Sequence, residues 1–151
     1  MISPELEKKI LSCLPYSKPF LFVDSIIDVN EAEIKGSFKF LSTEPYYKGH
    51  FRQKPVTPGV LLLETMGQIG LVCFGIYLNK IYETNIPFTP ILSHLESDFL
   101  GIVLPGKTVY VHAQKEYYRN NILKCRITMT DSENRTVLTT IAICTFTFAH
   151  S

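Results

Sequence analysis

The sequence predicts an α+β fold in which one long helix lies within a curved, mainly antiparallel sheet of about six strands. Two features predict it. The segment from Gly59 to about Asn79 is apolar nearly throughout, which suits a helix that is buried on most sides. The segments before and after it alternate in polarity or are rich in β-branched residues, as strands are. Because 151 residues are the size of one ordinary domain, we expect a single domain over residues 1–151.

A short helix and a hairpin are predicted before the long helix. Ser3 is a capping side chain followed by a proline and an acid, which predicts a helix that begins here and ends near Leu14. Phe20–Val29 is aromatic and β-branched, and Glu33–Leu41 alternates between apolar and polar residues. We therefore expect two strands joined by a tight turn at Asn30.

The long helix follows an irregular loop from Ser42 to Thr57, and loops of this length are often functional. Thr57-Pro58 fits a capping residue followed by proline at the first helical position, which places the helix start there. Glycine inside a helix costs about 1 kcal/mol relative to alanine. We expect that three glycines are kept because strands pack closely against them: Gly67, Gly70 and Gly75.

Four further strands are predicted after the helix. They lie near Ile91–Leu100, Lys107–Tyr118, Ile122–Thr130 and Thr136–Phe148, with turn residues between them. The last of these strands is apolar on both faces, which is typical of a strand in the interior of a sheet.

Composition excludes several functional classes. With 46% hydrophobic and 19% charged residues, the chain is globular rather than disordered. The formal net charge of +1 and the lack of a Lys/Arg run argue against nucleic acid as a partner. The four cysteines form no close pair, so we expect buried, reduced thiols and no metal site: Cys13, Cys73, Cys125 and Cys144.

The apolar segment Gly59 to Leu78 is long enough to span a bilayer. It contains Glu64 and Gln68, however, and an ionised carboxylate is costly in lipid. We therefore expect a helix surrounded by protein and no membrane span. The N-terminus lacks the pattern of a signal peptide, which favours a cytoplasmic location.

Two residues suggest acid–base chemistry. His50 lies in the loop before the helix, and Glu64 lies on the otherwise apolar helix. A neutral imidazole beside a carboxylic acid that holds its proton is a base-plus-acid pair. Pro58 lacks an N–H, so Gly59 and Val60 supply the first free donors at the positive end of the helix dipole. Base, acid and a polariser for a thioester carbonyl together describe β-elimination of water.

Simpler interpretations remain open on the residues alone. His50 is equally compatible with a loop histidine bonded to a carbonyl, and Glu64 with an ion pair to a neighbouring strand. Gln68, one turn after Glu64, either orients that carboxyl or fills a polar niche. His94 and Glu96 alternate along one predicted strand, which more often indicates a solvated face.

The segment from Gly49 to Gln68 resembles the signature of 3-hydroxyacyl-acyl carrier protein dehydratases, the FabZ/FabA type of hotdog protein. That signature is Gly-His-Phe, a nearby proline, a Pro-Gly that opens the helix, and an acid five residues after that glycine. Glutamate as the acid resembles the FabZ branch. The matching residues are Gly49-His50-Phe51, Pro55, Pro58-Gly59 and Glu64, with further matches at Pro19–Asp24 and Leu104–Gly106.

The resemblance implies a hotdog fold and a lyase that acts in fatty-acid or related acyl-chain biosynthesis. His50 would remove the α-proton, Glu64 would protonate the departing 3-hydroxyl, and the Gly59 amide would bind the carbonyl. It further implies a homodimer with a shared site, a substrate carried by acyl carrier protein, and no metal or diffusible cofactor. The candidate substrate-binding residues are Gly59, Val60, Gln68 and Phe51.

The chain departs from the family pattern at three places. Arg52-Gln53 stands where the family has Pro-Gly, Tyr16 where it has histidine, and basic residues near Phe99–Gly101 are missing. These changes concern the substrate more than the reaction. Two other functions are alternatives: a hotdog acyl thioesterase, against which His50 argues, and a non-catalytic acyl-binding module. Four bases are candidates for flanking the mouth of the site and contacting an acidic carrier protein, and scattered surface bases are an equally good interpretation: Lys18, Lys48, Arg52 and Lys54.

Overall fold

The six predicted strands are present and form one sheet. A computed structural model describes residues 1–148, so residues 149–151 of the predicted domain lie outside the described part. Every neighbouring pair of strands is antiparallel, and the order across the sheet is β1-β2-β4-β5-β6-β3. The strands are β1 Ser25–Val29, β2 Glu33–Lys39, β3 Phe88–Phe99, β4 Thr108–Arg119, β5 Ile122–Thr130 and β6 Thr136–Phe148.

The predicted α+β arrangement is confirmed, and the sheet curves around the helix. Register shifts in the β1–β2, β4–β5 and β3–β6 pairs bend the strands, as β-bulges do. The sheet has two edges, formed by β1 and β3. β6 lies between β5 and β3, so the prediction that this strand is interior is also confirmed.

The N-terminal helix spans Pro4–Ser12, and the Ser3 hydroxyl caps it by accepting a hydrogen bond from the Leu6 N–H at 3.1 Å. The strand predicted over Phe20–Val29 is too long, because only Ser25–Val29 pairs in the sheet. The backbone before it bonds to a side chain instead: the Phe22 N–H donates to the Gln68 amide oxygen at 2.8 Å.

The central helix spans Gly59–Leu78. It is α-helical over Gly59–Gly67, widens to a π-helix over Gln68–Cys73, and is α-helical again to Leu78. The predicted cap is wrong by one residue, since Pro58 and not Thr57 precedes the first helical residue. Thr57 is engaged elsewhere, because its hydroxyl hydrogen-bonds the Tyr47 hydroxyl at 2.6 Å.

The sheet wraps this helix, as expected. An 18-residue window of the helix has a mean hydropathy of 1.7, yet 67% of that window is buried within the protein. Close strand packing explains two of the three glycines. A Cβ at Gly70 would lie 2.9 Å from Ile127 Cδ1, and one at Gly75 would overlap the Phe146 ring. Gly67 is different, because a Cβ there meets no atom within 4 Å, so the close-packing expectation is wrong for this residue.

The cysteines are all free, as expected, and three of them are buried. Burial raises the pKa of Cys125 to about 12 and that of Cys144 to about 11, and it raises the pKa of Cys73 as well. Cys13 is half-buried. The three buried thiols are therefore protonated near neutrality.

Candidate active site

The loop before the central helix holds both the backbone and the ring of His50 by hydrogen bonds. A 3-10 turn over Pro45–Lys48 precedes it, and the His50 backbone donates to the Tyr46 carbonyl at 3.0 Å. The ring Nδ1 lies 3.0 Å from the carbonyl oxygen of Val56. A carbonyl only accepts, so Nδ1 is the donor, and in the neutral form of the ring the lone pair is then on Nε2. The ring stacks on the Phe51 ring with 4.1 Å between their centroids, which holds the plane of the imidazole.

Glu64 is half-buried on the second turn of the central helix, and Gln68 holds its carboxylate. The Gln68 amide nitrogen donates to Glu64 Oε2 at 2.9 Å and to the Phe20 carbonyl at 3.0 Å. With the bond from Phe22 to its amide oxygen, the fully buried Gln68 is saturated by protein groups. One oxygen of Glu64 is thereby fixed in place, and Oε1 is left for a further partner.

A cavity of about 260 Å³ lies beside Glu64. Its walls are mainly apolar, and its polar side chains include Tyr16. Burial and then the charge of Glu64 raise the pKa of Tyr16 to about 12, so this phenol keeps its proton near neutrality. The lining residues are Tyr16, Val60, Leu63, Glu64, Met66, Gly67, Leu71, Val72, Pro90, Leu92, Leu95 and Cys144.

The helix start offers two backbone donors. Leu61 and Leu62 donate their N–H groups to the Pro58 carbonyl, which leaves the N–H groups of Gly59 and Val60 as the first two of the helix. No side chain caps them. Val60 is 71% exposed. Gly59 lies under the ring of Phe99, because a Cβ added at Gly59 would be 3.0 Å from Phe99 Cε1. The cap shift therefore leaves the predicted donors, Gly59 and Val60, unchanged.

One chain brings some of the predicted site residues together and keeps others apart. Glu64 and Val60 line the cavity, and Gln68 bonds to Glu64 behind it. His50, Phe51 and Gly59 are not among the cavity residues of the described part of the chain. Phe51 is 58% exposed and stacks on His50.

Sequence reasoning missed several walls of the cavity. Pro90, Leu92 and Leu95 come from β3, and Cys144 comes from β6. The sequence shows that β3 alternates, but it does not show which helix residues face that strand. The sequence marks Tyr16 only as a departure from the family pattern and does not predict that it lines the cavity.

Another histidine–carboxylate pair lies outside the cavity. His94 Nε2 and Glu96 Oε1 are 3.0 Å apart on the exposed β3. Between residues 1 and 148, no group of three or more His, Cys, Asp or Glu side chains has the geometry to hold a metal ion.

Comparison with known proteins identifies the family. The model of the FabA-like domain matches residues 14–140, which is most of the chain. The chain belongs to the FabA-like family. Among FabA-like relatives, the protein named 3-hydroxyacyl-[acyl-carrier-protein] dehydratase FabZ in Caldicellulosiruptor bescii is 34% identical over 127 residues, covering 83% of this chain and 88% of the relative.

Two other relatives have the same name. The protein from Rickettsia felis is 32% identical, covering 81% of this chain and 83% of the relative. The one from Sinorhizobium fredii is 37% identical, covering 78% and 74%. The fold also has solved counterparts. A chain of the dehydratase heterocomplex ApeI:P from Xenorhabdus doucetiae has a TM-score of 0.74 at 11% identity, covering 94% of this chain and 91% of that one.

A thioesterase from Haemophilus influenzae is a more distant structural neighbour. It has a TM-score of 0.59 at 16% identity, and the match covers 82% of this chain and 78% of that one. At such low identity these two likenesses concern the fold alone, and they agree with the helix-in-sheet arrangement described above.

Proposed function

We propose that this protein is a lyase that removes water from 3-hydroxyacyl thioesters linked to acyl carrier protein, giving trans-2-enoyl thioesters in fatty-acid or related acyl-chain biosynthesis. One observation carries the proposal: His50 is bonded through Nδ1 to the Val56 carbonyl, which leaves Nε2 available, and Glu64 is held by Gln68 at the wall of an apolar cavity. The FabZ-named relatives support the same reaction.

The proposed reaction is a β-elimination. His50 Nε2 takes the proton from the α-carbon, and the electron pair of that C–H bond becomes the new C=C bond. The 3-hydroxyl leaves with the electrons of its C–O bond and takes a proton from Glu64, so water departs. The Gly59 and Val60 N–H groups stabilise the charge that develops on the thioester oxygen. The enzyme returns to its starting state when the proton on His50 is returned to Glu64 through solvent.

Two predicted substrate-binding residues take supporting roles in this scheme. The donors and acceptor of the Gln68 amide are occupied by Glu64, Phe20 and Phe22, so Gln68 is proposed as a positioning residue that orients the acid. Phe51 stacks on the imidazole and is proposed to hold the plane of the base, with its exposed face toward the thioester.

The proposed assembly is a homodimer with two shared sites. β3 is a sheet edge of 12 residues, and its apolar side chains Ile91 and Leu92 are 48% and 53% exposed. A long, apolar edge strand is a template for pairing with a second chain. The cavity beside Glu64 is lined by Pro90, Leu92 and Leu95 of this strand. A second copy paired along β3 would bring His50 of the partner subunit toward this cavity.

The proposed partner is an acyl carrier protein in the cytoplasm. Lys48, Arg52 and Lys54 are exposed and flank His50 within one loop. The phosphodiester that links the pantetheine arm to its carrier is an anion, and positive charge at the mouth of a site speeds the encounter with a negative partner. The apolar cavity is proposed to hold the acyl chain.

The test is an assay of wild-type protein, His50→Ala and Glu64→Gln on enoyl thioesters, which follows hydration through loss of the conjugated chromophore. We expect wild-type turnover and a loss of at least about 100-fold in each variant, because each lacks one proton-transfer group. Far-ultraviolet circular dichroism and thermal unfolding serve as controls for the fold. Release of free thiol without hydration would instead indicate a thioesterase, and neither reaction would indicate a binding module.

A further inference from the structure

Tyr16 lines the same cavity as Glu64, and the proposed scheme gives it no role. It follows Pro15 in the segment between the N-terminal helix and Phe20, and its ring is tilted against the Phe20 ring at 6.3 Å between centroids. The side chain is half-buried and lines the same cavity as Glu64. The segment that carries it is tied to the central helix by Gln68, which bonds both Phe20 and Glu64.

The hydrogen-bonding groups of the cavity are few. Among the lining residues within 1–148, the polar side chains are Tyr16, Glu64 and Cys144. The Cys144 thiol is directed to the Thr145 carbonyl at 3.9 Å, and one Glu64 oxygen is held by Gln68. Tyr16 is thus the one hydroxyl in this wall, and its proton is retained near neutrality because burial raises its pKa.

The proposed elimination would be favoured by a hydroxyl donor at this place. As the C–O bond breaks, negative charge grows on the 3-oxygen, and the proton from Glu64 arrives on that same atom. A neutral O–H donor beside the acid would stabilise this charge without competing as a base. Such a group would act on the departing oxygen and not on the α-carbon.

We propose that the Tyr16 hydroxyl donates a hydrogen bond to the 3-hydroxyl oxygen of the substrate while Glu64 protonates that oxygen. This inference rests on the proposed function. Tyr16 keeps its own proton throughout, so the atoms and electrons of the elimination are those given above. Tyr16 is therefore a catalytic residue of the acid half of the site, whereas His50 and Gly59 form the base half.

The two halves can be measured separately. Dehydration of a 3-hydroxyacyl thioester needs both halves. Exchange of the α-hydrogens of a saturated acyl thioester with deuterated water, followed by NMR, needs only the base half because no 3-oxygen is present. Tyr16→Phe keeps the ring and removes only the hydroxyl.

We expect Tyr16→Phe to lower the kcat for dehydration about 10-fold, as the loss of one hydrogen bond in a transition state does, and to leave α-exchange at the wild-type rate. Tyr110→Phe, on the outer face of β4, is the matched control and should change neither rate. Glu64→Gln should show the same selective loss as Tyr16→Phe, but a larger one.

Two results would overturn the inference while wild-type dehydration stands. Tyr16→Phe with wild-type dehydration would mean that the hydroxyl takes no part. Equal losses of dehydration and exchange would mean that Tyr16 only supports the local structure. If the wild-type protein itself catalysed no dehydration, the proposed function would fail first, and the inference would fall with it.

Discussion

At the scale of single residues, hydrogen bonds to near neighbours in the chain orient the two candidate catalytic groups. The Val56 carbonyl bonds to Nδ1 of His50, so Nε2 is the ring nitrogen that is left for a substrate. The Gln68 amide donates to Oε2 of Glu64, so Oε1 is left for a further partner. The sequence predicted His50 and Glu64 as candidates from residue type and family resemblance. It offered both bonds only as alternatives, because no sequence pattern shows which carbonyl an imidazole meets or how many partners an amide finds.

Gly59 has two possible roles, access of a carbonyl to the helix start and packing against Phe99, and they must be separated. A methyl group at this position would obstruct a carbonyl that approaches the helix start, but it would also meet the Phe99 ring at 3.0 Å. We expect Gly59→Ala to lower kcat about 10-fold through the first effect, which corresponds to about 1.4 kcal/mol in the barrier. Phe99 is 51% exposed and is free to move aside.

The double variant Gly59→Ala/Phe99→Leu separates the two effects. Leucine removes the ring edge that the new methyl would meet. Steady-state kinetics of the double variant should remain as slow as those of Gly59→Ala, with Phe99→Leu alone as the control. Full recovery in the double variant would show that the glycine serves packing and not the carbonyl.

At the scale of elements, the sequence predicted which elements exist better than where they end. β5 and β6 have the predicted bounds because each is a continuous alternating segment between turn residues. β1 is shorter than predicted because Gln68 takes the backbone of Phe20 and Phe22 out of the sheet. The central helix begins one residue late because Thr57 bonds to Tyr47. Both errors come from tertiary hydrogen bonds.

The central helix also forms part of the cavity wall, so we expect a residue of this helix to limit the length of the acyl chain. Gly67 lines the cavity, and a side chain there enters open space. We expect Gly67→Leu to fill the cavity, to lower kcat/KM for long-chain thioesters at least about 10-fold, and to spare short ones within about 2-fold. The fold should tolerate it, because replacing a helical glycine by a good helix former gains about 1 kcal/mol.

The comparison needs a glycine of the same helix that does not face the cavity. Gly75→Ala is that control. Its methyl would collide with Phe146 and lower the thermal unfolding temperature, but it would not enter the cavity and should not change the preference for acyl length. Rates measured over a series of acyl lengths decide the matter. An equal loss for every length in Gly67→Leu would contradict the role given to the cavity.

At the scale of the whole molecule, one chain holds the acid and its cavity but does not place His50 among the cavity residues within 1–148. The cavity lies beside β3, whose outer edge pairs with no strand among residues 1–148. Both facts favour a site completed by a second copy. The sequence suggested sharing only through the family resemblance, since nothing in one chain's pattern reports a contact between two chains.

The most direct test of the account uses mixed dimers of two inactive variants. His50→Ala and Glu64→Gln are unfolded together, refolded so that subunits pair at random, and assayed for dehydration, with differential tags confirming the exchange. If each site joins His50 of one chain to Glu64 of the other, a mixed dimer has one intact site. Half of the dimers are mixed, so activity should return to about a quarter of wild type. Confirmed exchange with no return of activity would contradict a site built from His50 and Glu64 of two chains.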